Sequence, residues 1–127
     1  MTQSLVLVAV GGAIGASLRH LLGVGLYRFL GGPTQFPVAI LSANVLGSFL
    51  MGVFVVMAAQ RGLTHLSPFV MTGLLGGFTT FSAFSLETVT LIERGALVHA
   101  AFYVALSVAL SVFGLMAGLW MTRVVLT

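Results

Sequence analysis

Charge is the scarcest property of this sequence. Lysine and aspartate are absent, and five arginines and two glutamates among 127 residues leave a formal net charge of +3. Charged residues make up 6% of the chain, where a soluble domain normally carries about a quarter. So few charges cannot cover a water-facing surface, which excludes a globular enzyme, and the apolar content excludes a disordered chain. The high isoelectric point does not point to nucleic acid, because five scattered arginines form no basic patch. Cysteine is absent, which removes disulfides, thiolate metal sites and cysteine nucleophiles. No paired catalytic carboxylates and no nucleophile–base set stand out, so no enzyme is expected.

What the sequence does hold is length in apolar runs. A bilayer crossing takes roughly 20 apolar residues over a hydrocarbon core of about 30 Å. The first run extends from Leu5 to about Leu26 and ends at Gly31, Gly32 and Pro33. It is not read as a secretory signal, since no positive residue precedes it and it is too long for an h-region. A second run covers Pro37 to Ala59, a third Pro68 to Ile92 and a fourth Ala96 to Val125, with polar connections at Gln60–His65 and Glu93–Gly95. The expected fold is an all-α membrane protein, one domain over residues 1–127 with four transmembrane helices at about 4–29, 36–59, 67–92 and 96–125. Both termini then lie on one side. The runs are continuously apolar, unlike the alternating strands of a membrane barrel.

These spans place Arg28 and Arg94 on one side and Arg61 and Arg123 on the other, with Arg19 inside the first helix. The positive-inside rule needs an excess on one side, and here the sides are nearly balanced. Either a weak bias suffices, or the chain inserts both ways and pairs antiparallel with itself, a symmetry otherwise built from inverted repeats.

Small and polar residues recur at helical spacing. Tyr103, Ser107, Ser111, Gly114, Gly118 and Thr122 share one face of the fourth helix, Asn44, Ser48 and Gly52 one of the second, and Gly12, Ala16, Arg19 and Gly23 one of the first. Small residues let helices approach closely in lipid, and serines can bond back to their own helix; alternatively, the stacked hydroxyls line a polar track. Arg19 and Glu87 are the costliest groups inside the membrane. Arg19 either snorkels to the interface or faces the bundle. Glu87, in one stripe with Thr80 and Phe84, reads as a proton acceptor, an arginine partner or a protonated hydrogen-bonding group. His20, His65 and His99 lie near helix ends without metal-ligand spacing and read as interfacial.

The densest pattern is Gly73–Ser85, GLLGGFTTFSAFS. Adjacent glycines weaken a helix, and a helix broken near mid-membrane frees carbonyls that can hold a hard cation such as Na⁺. Phe78, Phe81 and Phe84 recur every three residues, and the positive edges of such rings can favour an anion without supplying a full charge.

GGFTTFSAFSLE, together with GGAIGASLRH in the first helix and Asn44-Val-Leu-Gly47-Ser48-Phe49 in the second, resembles the CrcB/Fluc family of fluoride channels over essentially the whole chain. That resemblance implies an antiparallel, dual-topology homodimer in the inner (plasma) membrane, with two narrow fluoride pores between the subunits. Membrane lipid would be its surroundings and nucleic acid no partner. It assigns Asn44 to the pore asparagine, whose amide replaces part of the ion's hydration, and Phe81 and Phe84 to the paired rings that turn edges toward fluoride. Ser107, Ser111 and Tyr103 match the fourth-helix polar track; Thr80, Ser82 and Glu87 match the third-helix polar set. Arg19 matches the arginine near the aqueous vestibule. Gly76 and Thr79 occupy positions whose main-chain carbonyls, two from each subunit, hold a central Na⁺ that is not transported. Ala83 stands where the family commonly has threonine, removing one hydroxyl.

The mechanism this implies is passive, selective F⁻ electrodiffusion that lowers cytoplasmic fluoride. Its rival is a small proton-coupled dual-topology exporter working through Glu87. A third reading is a non-transporting subunit of a larger membrane assembly.

Overall fold

A computed structural model describes residues 1–127. It is entirely helical. Helix α1 spans Thr2–Phe29 and α2 spans Val38–Arg61. The third span, Thr64–Glu93, is composite. A 3₁₀ turn, Thr64–Leu66, leads into a π-helical stretch, Pro68–Leu75, and a last α turn, α3, Gly76–Phe78. Thr79 and Thr80 are extended, and helix resumes as α4, Phe81–Glu93. Helix α5 spans Leu97–Leu126. Four spans of 24 to 30 residues exceed the roughly 20 needed to cross a bilayer.

Burial shows what solvent the chain is built for. Only 16 of 127 residues are buried, and leucine, valine and phenylalanine side chains stand exposed along every helix. No core of that size holds a fold together in water, whereas lipid tails satisfy those outward faces.

Contacts between helices come from glycine. The spans associate as two extensive pairs, α1 with the π-helical stretch and α3, and α2 with α5. In the first pair, Gly11 and Gly15 meet the backbone of the third span at Phe69 and Leu74, while Gly73 and Gly77 return the contact at Val8 and Gly12. In the second pair, Gly52 lies against the Leu115 carbonyl and Gly118 against the Phe49 carbonyl. A Cβ at any of these positions would press on backbone, which cannot step aside. This is the close approach by which membrane helices gain van der Waals contact where no hydrophobic force drives them together.

Gly76 and Gly77, expected from their helix-weakening tendency to mark the interruption, are both helical. Gly77 instead lets the third span pack on Gly12, and the backbone departs from helix two residues later.

Gly15→Ala should cost about 1–3 kcal/mol, the usual penalty for overpacking, because its methyl would meet the Leu74 carbonyl. Gly25→Ala has open space around it and should be neutral or stabilise by up to about 1 kcal/mol. Thermal unfolding of both variants in detergent checks the contrast.

Candidate functional site

The site is organised by one side chain. Asn44, half-buried on α2, faces the extended pair Thr79–Thr80. Its Oδ1 accepts from the Thr80 amide at 2.7 Å, and its Nδ2 donates to the Thr80 carbonyl at 3.1 Å. The carboxamide thus does for Thr80 what a neighbouring strand would do, satisfying both backbone groups of a residue that has left the helix. Backbone groups at membrane depth must find such partners. An asparagine suits the task because it offers a donor and an acceptor on one planar group. The second N–H of its amide takes no part in these bonds.

Thr80 also starts α4. Its hydroxyl accepts from the Ala83 amide at 3.2 Å, an N-cap, and lies 3.3 Å from the Ser82 hydroxyl. Thr79 donates its hydroxyl to the Leu75 carbonyl at 2.9 Å. Two amides are thereby diverted from their ordinary helical acceptors. An unbroken helix would pair the Thr80 amide with the Gly76 carbonyl and the Ala83 amide with the Thr79 carbonyl; here they go to Asn44 and the Thr80 hydroxyl.

Beside this junction is a groove of about 410 Å³, lined by Asn44, Thr79, Thr80, Phe81, Phe84, Ser107 and Ser111 among others. These seven are residues singled out from the sequence, drawn together from three separate spans. Gly47, Ser48 and Met51 of α2 also line it and were missed as site residues. Ser48 had a legible signal, since it lies one turn from Asn44 on the same helix face. Gly47 is required sterically, because the Thr79 side chain occupies the space a Cβ would need.

The polar stripe on α5 divides in two. Thr122 donates to the Gly118 carbonyl at 2.7 Å and is satisfied within its own helix. Gly114 and Gly118 serve packing. By contrast, the Tyr103 and Ser107 hydroxyls are buried without any protein partner. Elsewhere, Ser85, Thr88 and Thr90 bond back to the preceding turn, so that option was open to Ser107 and is not taken. A buried orphan hydroxyl costs about 1–3 kcal/mol, which sets Tyr103 and Ser107 apart from the satisfied members of the stripe.

Aromatic rings form the wall. The Phe81 and Phe84 centroids lie 5.4 Å apart at 45°, and Phe84 lies 5.3 Å from Tyr103 at 36°. Phe81 is 78% exposed, so one side of the groove faces outward from the chain. No lysine, arginine or glutamate lines it.

Five expected site residues are not among the lining residues. Tyr103 reaches the groove only through its contact with Phe84. Ser82 is exposed beside Thr80, Gly76 is exposed on α3, and Glu87 is half-buried one turn beyond Phe84. Arg19 lies in a separate groove with Ala16, His20, Gly23, Tyr27, Ala39 and Ile40. Its Nε is buried without a partner, and α1 continues to Phe29, about 15 Å further on at 1.5 Å per residue.

Comparison with known proteins agrees over nearly the full length. Residues 6–119 match the family model described as CrcB-like protein, Camphor Resistance (CrcB). A Roseobacter denitrificans protein named fluoride-specific ion channel FluC is 78% identical, across 95% of this chain and 96% of its own. Proteins of the same name from Ruegeria sp. and Cereibacter sphaeroides are 67% and 58% identical. The first match covers 94% of both chains and the second 97% of both.

Asn44→Ala should leave the Thr80 amide and carbonyl unpaired, at about 1–3 kcal/mol for each group. Hydrogen exchange resolved at the Thr80 amide should accelerate and thermal stability in detergent should fall. Unchanged exchange at Thr80 would contradict the clamp.

Proposed function

The chain belongs to the CrcB family, and from that premise we propose that it is a fluoride-selective channel, releasing F⁻ passively from the cytoplasm across the inner membrane. The observation that carries this reading is the composition of the groove. Amide and hydroxyl donors are collected beside two phenylalanine rings, two of the hydroxyls nearby have no protein partner, and no fixed charge is present.

Fluoride is small and strongly hydrated, so a path must replace water with donors. Asn44 supplies its uncommitted N–H, and Ser107, Ser111 and Thr80 supply hydroxyls. Phe81 and Phe84 add the weak attraction of ring edges, whose hydrogens carry the positive end of the ring quadrupole. None of these is a full cation, so an ion that enters can also leave. Larger chloride would fit this donor set poorly. Arg19, outside the groove, would act earlier, drawing anions toward the mouth.

A groove open on its Phe81 side calls for a second wall. An antiparallel second copy would supply it, and two-fold symmetry would then give two pores. The near-balanced arginines support insertion in both orientations. The junction also suits the central Na⁺ that the family resemblance implies. Hard cations take oxygen ligands, and unwound membrane helices supply them as carbonyls. Here the usual helical donors to the Gly76 and Thr79 carbonyls are engaged elsewhere, which fits these oxygens as the holding pair from each subunit. Bound there, the ion would join the two subunits electrostatically.

A proton-coupled exporter would depend on Glu87, and Glu87 is not among the residues lining the groove. A passive channel keeps conducting after Glu87→Gln, whereas a coupled exporter loses pH-driven transport.

Purified protein in liposomes should release fluoride, read with a fluoride electrode, and should not release chloride. Phe81→Ile and Phe84→Ile should each slow that release by about tenfold or more, the factor that ~1.4 kcal/mol adds to a barrier. Wild-type rates in both variants would remove the rings from the mechanism.

A further inference from the structure

Phe36 lies in the connection between α1 and α2, outside every stripe of polar or small residues in the spans. Its backbone is held firmly. The Phe36 carbonyl accepts from the Thr34 hydroxyl at 2.6 Å and from the Val38 amide at 2.8 Å, and the following Pro37 restricts its conformation to the extended region. Its ring stands at 88° to Tyr103, with centroids 5.6 Å apart. Tyr103 contacts Phe84, and Phe84 contacts Phe81. Four rings therefore run in unbroken contact from an anchored connection to the extended junction.

The middle of that chain of rings has no polar restraint. Tyr103 is fully buried and its hydroxyl bonds to nothing in the protein. Terminal ring torsions have broad wells, so the tilt of Tyr103 is set by what packs on it. Phe36 and Phe84 are its aromatic neighbours, with Leu41, Leu91, Ala96 and Ala100 in the same cluster. Close-packed interiors pass such displacements on, and loss of the perpendicular ring would free Tyr103 to tilt and Phe84 to follow.

We propose that Phe36 is a positioning residue for the ion path, acting through Tyr103 to set the tilt of the Phe84 ring. Phe36 is not among the lining residues of the groove and does not meet the ion. The inference rests on the fluoride-channel reading above.

Single-channel recording of the full-length protein in fluoride separates positioning from mere packing. Phe36→Leu should lower the unitary current by about two- to tenfold, the range to which one aromatic contact corresponds. Phe36→Tyr, which keeps the ring, should restore it. A reduced number of channels at the wild-type unitary current would overturn the proposal, as would equal losses in the leucine and tyrosine variants. Should Phe36→Leu not assemble, Thr34→Val removes only the anchoring hydroxyl of an exposed residue. It should lower the unitary current in the same direction and by less, and an unchanged current would overturn the proposal. A wild-type protein silent in fluoride would refute the channel reading itself, an outcome distinct from a conducting wild type matched by its variants.

Discussion

Two hydrogen bonds between Asn44 and the backbone of Thr80 are the constraint on which the rest of the arrangement depends. A helix that opens inside a bilayer exposes groups that lipid cannot satisfy, and the energetic pressure is to close it again. Asn44 removes that pressure at one residue by pairing both the amide and the carbonyl of Thr80. Once Thr80 is held extended, its hydroxyl is free to cap α4, and α4 can start with Phe81 turned outward. The carbonyls of Gly76 and Thr79 lose their usual donors as a consequence of the same two bonds. One carboxamide on a neighbouring helix thus holds the extended residue at which the third span is interrupted, just before the turn that carries both rings.

That constraint requires α2 to lie close to the third span, and the glycines make this possible. Gly47, one turn beyond Asn44 on the junction side, leaves room for the Thr79 side chain. Gly52 and Gly118 seat α2 on α5, bringing Ser107 and Ser111 to the same groove. On the far side, Gly11, Gly15, Gly73 and Gly77 join α1 to the stretch before the junction. The π-helical geometry of Pro68–Leu75 belongs to the same region, in keeping with the tendency of π-type turns to occur at functional sites. Small residues set the distances in both pairs of spans, so that a few polar side chains can meet without any charge among them.

The four spans were legible because they rest on local pattern, while most of the groove's polar and aromatic residues stood out by spacing but were assigned to one site through the family resemblance. Long apolar runs between Gly, Pro and charged connections mark helices, and Asn44, Thr80, Phe81, Phe84, Ser107 and Ser111 are unusual residues at regular spacing. What eluded the pattern was tertiary. Gly76–Gly77 weakens a helix by intrinsic propensity, yet both glycines are helical, with Gly77 packed on Gly12; the departure at Thr79–Thr80 is stabilised by a partner 36 positions away in sequence. The α5 stripe looked uniform, but its members include satisfied hydroxyls, packing glycines and unpaired hydroxyls, a difference set by neighbours. Phe36 carries no signal in isolation, being one more phenylalanine beside a proline. Arg19 stands on a periodic face of α1, but that periodicity could not say that the groove it lines is separate from the one at Asn44.

The scarcity of charge bears on more than insertion. A fixed unit charge about 4 Å from an ion contributes roughly 4 kcal/mol at an effective dielectric of 20, and more where water is excluded. A path for a monovalent anion lined by such a charge would bind too strongly for rapid exit. Hydroxyls, one carboxamide N–H and ring edges each contribute about 1 kcal/mol, so several together can offset dehydration while none holds the ion alone. The groove at Asn44 has this composition, and Arg19 lies in another. On the reading proposed above, such a chain uses one half-buried carboxamide to hold the backbone open and leaves the ion to groups weak enough to release it.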